Sequence, residues 1–582
     1  MKGSKGGKGI LRNRTQKIGL AGILTAVALL GVGRLVKACE PYQNQEILFS
    51  EDEQFQKQDF ILKLSTLLHS DIYYTLDGSE PTDGSLHYED GISLEAGESC
   101  GGVPVRAIAY YGDGHTSDVY TKTYFLGKNV KERFSTAIVE LTGDPEELFD
   151  YENGILVTGK LRDDYVMEHP DEVVTDADPA NYNIRGYEGE RQVQAEIWEP
   201  AGSTVLNQKL GIRVNGGLSR GLDVKSLRLI AREEYGEKRI GAELPAAETW
   251  EKPYFPKRLL LRNHGNDQEY GCMRNELGAK LAADAGFPCV QRFRAASVWI
   301  NGEYYGFEWL EDYIDNVYLK HLHQAEEKDG YFGLAEPYRE SAGEQTEREK
   351  EIQAELQEVM AYGERDLTDD AAYQELAERL DLENFLQYCA IELCVANVDW
   401  PTNNCKAYRW YSDTDTYEKN TGMDGRWRFA LYDLDMSMGR ITETAYDTHS
   451  LALTLGVENN GWKNEFPLLK ALLKRKDMQQ EFTRILEAYL EGPFSTENAK
   501  TRMAEIEDEM AGELEWQIQA FAAKEAEKSG EAYEDVYSYK KLMHTYEKGM
   551  LEEFWENRQT VLREELTHLD EYVDEYVRQE VD

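Results

Sequence analysis

Two short segments of this chain carry side chains that could perform phosphoryl transfer. Asn397-Val398-Asp399-Trp400-Pro401-Thr402-Asn403-Asn404 places an Asn five residues after an Asp. Further on, the apolar run Trp427-Arg428-Phe429-Ala430-Leu431-Tyr432 ends in Asp433-Leu434-Asp435-Met436-Ser437-Met438-Gly439. Moving a phosphoryl group from a nucleotide to a hydroxyl needs an acceptor for the hydroxyl proton and oxygen ligands for Mg2+, all held in line. Asp399 suits the acceptor, and Asn404 suits a metal ligand. Asp433 suits the main Mg2+ ligand and Asp435 the second, since residues two apart on a strand share a face. Plainer readings exist: an Asp after a helix often only turns the chain, and acids at a strand end can simply be solvated. The two segments together favour the chemical reading.

Upstream, Asn215-Gly216-Gly217-Leu218-Ser219-Arg220-Gly221 is a glycine-rich turn between strands, suited to close approach of a phosphate. Hairpins use the same residues, so the turn alone is weak. Gly216, Gly217, Ser219 and Arg220 are its candidate binding residues. Lys225, on the following strand, is a candidate for neutralising phosphates during catalysis, and Glu276, opening the next helix, could orient it. Glu311 and Asp312 end a strand where a nucleotide could lie.

Periodicity marks the elements that must position these residues. Strands are expected over 134–141, 192–198, 210–215, 225–231 and 258–263, then a helix over 276–285. Two further strands, 295–299 and 305–310, flank the hairpin turn Asn301-Gly302. Leu382 to Val395 is apolar at helical spacing and delivers the chain to Asp399. A larger α+β domain is expected over 128–475, with a solvated, acidic helical insertion at about 340–380. Residues 476–582 read as a helical extension. Residues 42–127 read as a small β-sandwich, with strand and turn chemistry in Ile72-Tyr73-Tyr74-Thr75-Leu76-Asp77-Gly78-Ser79-Glu80-Pro81-Thr82.

A chain of 582 residues is too long for one core, and 41% hydrophobic content argues for folded domains. The formal charge of −45 repels nucleic acid and anionic lipid and would attract a basic protein. The plainer reading is that it keeps the protein soluble. Cys39, Cys100, Cys272, Cys289, Cys389, Cys394 and Cys405 form no CxxC pattern, so neither structural zinc nor a disulfide framework is indicated. At the N-terminus, Lys2, Lys5, Lys8, Arg12, Arg14 and Lys17 precede the uncharged run Ile18 to Gly33, closed by Arg34. This reads as an export signal or, the favoured reading, an uncleaved signal anchor over 1–39, giving a single-pass membrane protein with its C-terminal part outside. Cleavage would give a secreted one.

The glycine turn, Lys225-Ser226-Leu227, Met273-Arg274-Asn275, Ile300-Asn301-Gly302-Glu303-Tyr304-Tyr305-Gly306, Asn397-Val398-Asp399 with Asn404, and Tyr432-Asp433-Leu434-Asp435 occur in the order that resembles the spore-coat protein H (CotH) kinase family. The 72–82 phrase resembles the chitobiase/β-hexosaminidase C-terminal module, an immunoglobulin-like accessory domain. The first resemblance implies an α+β, atypical protein-kinase-like domain, here preceded by the β-sandwich and followed by helices. It also implies ATP with Mg2+ or Mn2+ and serine acceptors on secreted, surface or coat proteins. Carried over, Asp399 would be catalytic, and Asn404, Asp433 and Asp435 metal ligands. Tyr432 stands where the family often has Trp, and the HRD triplet of ordinary kinases is replaced by Asn397-Val398-Asp399. The β module implies at most a spacer or a surface-glycan contact. A haloacid-dehalogenase-type start at Asp433-Leu434-Asp435 would need a Rossmann-like sheet after it, and a DxD glycosyltransferase would need a βαβ unit before it. A kinase-like scaffold or adhesion protein without activity is the stronger alternative.

Overall fold

The computed structural model describes residues 47–200, 202–243, 252–268, 271–338 and 345–574. The expected anchor over 1–39 lies outside these residues. Among the described residues no helix is long and apolar enough to cross a membrane. The expectation of a single-pass membrane protein is therefore corrected: no anchor is shown.

The N-terminal module is a set of small sheets. A five-stranded sheet runs in the order Phe55–Gln56, Tyr120–Leu126, Gly101–Tyr111, Ser70–Thr75, Leu86–His87, with two two-stranded ribbons beside it. Alternation drives it: Val105, Ala107 and Ala109 point into one core with Leu62, Ile72, Ile92 and Tyr124. Two contacts stitch the module to the next domain: Gly102 N–H on the Gly302 carbonyl at 2.9 Å, and an aromatic cluster of Phe55, Phe125, Phe134, Trp198 and Trp299.

Seven strands then close into a barrel: β1 (Ala137–Gly143), β2 (Arg191–Trp198), β3 (Thr204–Val214), β4 (Leu227–Ile230), β5 (Arg258–Arg262), β6 (Phe293–Ile300) and β7 (Glu303–Asp312). The order is β1-β2-β3-β4-β5-β7-β6, and a parallel β1–β6 pairing completes the ring. Leu227, Leu229, Leu259 and Leu261 fill the interior with Val139, Ala195, Ile212 and Val298. By the period of two, Arg228, Arg258, Leu260 and Arg262 face outward. Helix α1 (Arg274–Asp284) lies between β5 and β6, with Asp267 accepting from the N–H groups of Met273 and Arg274 at its start.

The second lobe is built around helix α2 (Leu382–Val395), almost every residue of which is buried in the main core. Beside it lies an antiparallel sheet of β8 (Gly330–Ala335), β9 (Lys406–Ser412) and β10 (Arg428–Ala430). The acidic stretch is helical over Glu347–Met360 and Asp370–Arg379, as expected, but it is not merely solvated. Ile352, Leu356, Val359 and Leu376 belong to the main core, because the apolar residues recur on one helical face. Two long helices, α3 (Thr496–Ser529) and α4 (Tyr533–Thr567), bind the lobes together. On α3, Glu513 pairs with Arg133 at 2.6 Å and Arg502 with Asp284 at 2.6 Å. On α4, Glu547 pairs with Arg274 of α1 at 2.8 Å, and Arg558 donates to the Leu393 carbonyl of α2 at 2.7 Å.

Candidate active site

Strand pairing brings the two predicted segments together. β9 and β10 run antiparallel with Lys406 opposite Ala430, so the residues just before 406 and just after 430 emerge at one edge. Asn404 Nδ2 donates to Asp399 Oδ2 at 3.0 Å and to the Asp433 carbonyl at 3.2 Å. Asn403 Nδ2 donates to Asp399 Oδ1 at 2.7 Å. Asn404 and Asp433 both have positive φ, 50° and 61°. Asn and Asp adopt this backbone more readily than other residues with a Cβ, and a site that keeps two such residues side by side has over-determined them.

The Asp399 loop is held from behind. Asp399 N–H donates to Asn397 Oδ1 at 3.0 Å, and Asn397 Nδ2 donates to Glu392 Oε2 of α2 at 3.0 Å. Burial pushes the Glu392 carboxyl up to about 8. Asn464 Nδ2 donates to the carbonyls of Val398 at 3.0 Å and Trp400 at 2.8 Å, fixing the Val398–Asp399 and Trp400–Pro401 peptide units of the Asp399 loop.

Asp433 and Asp435 converge on a single cation. Arg262 Nη2, on the outer face of β5, lies 2.7 Å from Asp433 Oδ1 and 3.0 Å from Asp435 Oδ2. Asp435 also accepts from Asn266 N–H at 2.8 Å and Asn266 Nδ2 at 3.3 Å. Gly265 permits this approach, since a Cβ there would meet Asp435 Oδ2 at 1.9 Å. Burial and the neighbouring Asp433 raise the Asp435 carboxyl well above its usual range. Behind Arg262 stand Glu276 of α1 and Glu311 of β7, both raised by burial and opposed by Arg262. Asn275 ties them in: its Nδ2 donates to Glu311 Oε1 at 3.2 Å, and its Oδ1 accepts from Leu434 N–H at 3.0 Å.

These positions separate the carboxylates by availability. The Asp435 side chain is 4% exposed with both oxygens engaged, whereas the Asp433 side chain is 32% exposed. Asp433 Oδ2 and Asn404 Oδ1 accept no hydrogen bond among the described residues. They are hard oxygen donors and fit Mg2+ or Mn2+. Both Asp435 oxygens are instead engaged in this structure, by Arg262 and Asn266. Among the described residues no group of three or more His, Cys, Asp or Glu side chains is arranged to hold a metal ion.

The region of this site is also the region of a family match. The model described as CotH kinase protein matches residues 212–574, from inside β3 to the end of the described chain. The chain belongs to the CotH kinase family. The CotH match spans the glycine turn, Arg262, α1, the Asp399 loop, the Asp433 segment and both long helices. The N-terminal module matches the family described as Fn3 associated over residues 62–124. Among curated proteins none matches.

Within this CotH domain the expected Lys225–Glu276 pair is not formed, which corrects the sequence reading. Lys225 Nζ donates to the Leu222 carbonyl at 2.8 Å and lies 4.6 Å from the centre of the Tyr182 ring. Lys225 shares the parity of Leu227 and Leu229, which face the barrel interior, whereas Glu276 lies outside. Burial lowers the Lys225 ammonium to about 8. Arg220 also turns inward, donating to the carbonyls of Val214 at 2.6 Å, Gly216 at 2.8 Å and Tyr182 at 2.8 Å. It buttresses the glycine turn. Gly216 has φ 104°, and a Cβ there would lie 2.4 Å from Ser219 Oγ, while Gly217 is exposed. The segment after the turn is chained to the acids: Ser226 Oγ donates to Asn263 Oδ1 at 2.7 Å, which accepts from Gly265 N–H at 3.1 Å beside Asp435. Arg262, Asn266 and Asn464 escaped the sequence reading, and Asn275 entered it only within the motif Met273-Arg274-Asn275, with no role assigned. Only Arg262 had a local signal, in the alternation Arg258-Leu259-Leu260-Leu261-Arg262.

Proposed function

We propose that this protein is an ATP-dependent kinase that phosphorylates serine hydroxyls of protein substrates. The observation that carries the reading is the joining of the Asp399 carboxylate and the Asp433 backbone through Asn404, within a CotH kinase domain. In protein kinases a glycine-rich loop covers the phosphates, a cation on the third strand pairs with a Glu of the following helix, and a catalytic Asp, an Asn and a second Asp come after them. Counted from β3, the third strand is β5, its cation is Arg262, and the next helix carries Glu276. This supports giving Arg262, not Lys225, the phosphate-facing role.

Asp399 accepts the proton of the incoming hydroxyl. Asn403 and Asn404 fix its two oxygens, and Asn397 with Asn464 fixes its backbone, so the acceptor is oriented before substrate arrives. Asp433 and Asn404 are the residues that would hold a divalent cation, which when bound supplies charge neutralisation for the polyphosphate. Gly216 and Gly217 offer backbone approach to the phosphates. The net charge of −45 favours a cationic acceptor protein, so transfer should weaken as ionic strength rises.

The test is transfer of labelled phosphate from Mg·ATP to the protein itself or to a basic, Ser-rich acceptor. Asp399→Asn should abolish transfer while keeping nucleotide binding, and Asp433→Ala should lose both. Wild type that binds no nucleotide would leave a scaffold without catalysis.

A further inference from the structure

The outer face of β3–β5 carries a row of three arginines, and the middle one lacks an acid. Arg213 and Arg228 are directly opposite on β3 and β4, and Arg258 lies on β5. Arg213 pairs with Glu190 at 2.6 Å and Arg258 with Asp315 at 2.7 Å. Arg228 has no carboxylate partner among the described residues. One of its amino groups donates to Asn215 Oδ1, its guanidinium lies 4.3 Å from the centre of the Tyr313 ring, and its Nε is buried with no hydrogen-bond partner. Burial presses its pKa down, and neighbouring Arg258 and Arg213 add to this against a weaker pull from Asp315, which lies beyond ion-pair distance. A shielded cation left this way costs stability unless something neutralises it.

Its surroundings point to the missing anion. Arg228 is directly opposite Leu260, two residues before Arg262 on the same outward face. Diagonal neighbours of this kind lie roughly 7–8 Å apart. Asn215, which it holds, immediately precedes Gly216 of the glycine turn. The guanidinium thus stands between the glycine turn and the cation that meets Asp433, with Tyr313 fixing its plane. We infer that Arg228 is a binding residue for phosphate oxygens of the nucleoside triphosphate. The inference rests on the nucleotide-dependent reading above and adds to it a second cation. A planar guanidinium with a free N–H edge matches two phosphate oxygens at once, which an ammonium does not.

The experiment is calorimetric binding of Mg·ATP, tripolyphosphate and adenosine to the full chain as wild type, Arg228→Met and Arg228→Lys. Arg228→Met should weaken Mg·ATP and tripolyphosphate by on the order of 10- to 100-fold and leave adenosine unchanged. Arg228→Lys should recover part of the loss. The ligand-free Arg228→Met protein should melt at or above the wild-type temperature, because relief of the buried charge outweighs the lost Asn215 hydrogen bond and Tyr313 contact, whereas a merely structural arginine would lower it. Equal loss of adenosine binding would move the residue to base or ribose and overturn the inference. Mg·ATP binding untouched by either substitution would overturn it while leaving the kinase reading intact. Tripolyphosphate bound through Arg228 by a protein that ignores ATP would uphold the phosphate site and remove the nucleotide.

Discussion

Replacing Arg262 by Met should expose how the acid pair is neutralised. Arg262 Nη2 sits 2.7 Å from Asp433 Oδ1 and 3.0 Å from Asp435 Oδ2. Opposite charges near 4 Å attract by about 4 kcal/mol at an effective dielectric near 20, and removing one partner of a buried pair costs roughly 3–5 kcal/mol. Asp433 is 32% exposed, so most of that cost comes through Asp435, which is 4% exposed. Asp435 has an escape: burial and Asp433 already raise its carboxyl, and without Arg262 it takes a proton more readily. The native variant then binds a proton that the unfolded chain has released, so its stability relative to wild type falls as pH rises. The loss should be small at pH 6 and approach roughly 3–5 kcal/mol by pH 8.5. The vacated carboxylates should also accept Mg2+ without nucleotide, and a ligand at 100 times its dissociation constant stabilises by about 2.7 kcal/mol. The assay is thermal unfolding at pH 6, 7.5 and 8.5, with and without Mg2+. A variant that melts with wild type at pH 8.5, or Mg2+ that stabilises nucleotide-free wild type equally, would refute Arg262 as the neutralising cation.

Buried carboxyls draw stability down as pH rises, against a smaller opposite effect from His264 and His323, which burial lowers to about 4. Glu140 and Glu392 are pushed up to about 8, and Glu196 and Glu565 to about 7, all by burial. Each holds a proton in the native state that the unfolded chain releases above about pH 4.3, so stability should fall as pH rises from that range to about 8, and a melting series showing a higher temperature at pH 8 than at pH 5.5 would contradict this. Asn464→Ala removes both donors to the Asp399 loop and should lower kcat about tenfold or more with little change in nucleotide KM; a pure KM effect in steady-state kinetics would argue against a positioning role. Glu308 lies opposite Ala296 on the interior face of the barrel, and neither carboxyl oxygen has a hydrogen-bond partner among the described residues. Glu308→Met should therefore raise stability by roughly 1–3 kcal/mol in denaturant unfolding, and a lower midpoint would show that the carboxyl is satisfied.

How far the sequence revealed the site depended on how locally each part is encoded. Asp399 and Asn404 were legible because both sit on one short loop, and Asp433 because it ends a strand paired with the strand that leaves that loop. The expected Lys225–Glu276 pair is absent for an equally local reason. Lys225, Leu227 and Leu229 share one parity, and the same alternation that marks a strand turns Lys225 into the barrel, onto Tyr182. The rule applied one strand later puts Leu259 and Leu261 inside and Arg262 outside, beside the acids. The barrel itself was not legible, since it closes by a parallel pairing of β1 with β6 across more than a hundred residues, with Ile138 beside Ser297. Asn464 was hidden likewise: it reaches Val398 and Trp400 from a loop 64 to 66 positions away, and no spacing rule connects such a donor to its carbonyls. The chemistry of the site is therefore written in short segments, and the cation opposite it in strand parity. The groups that hold the acceptor still are fixed only by tertiary packing, so they are the positions where substitution should change rate without changing any recognisable motif.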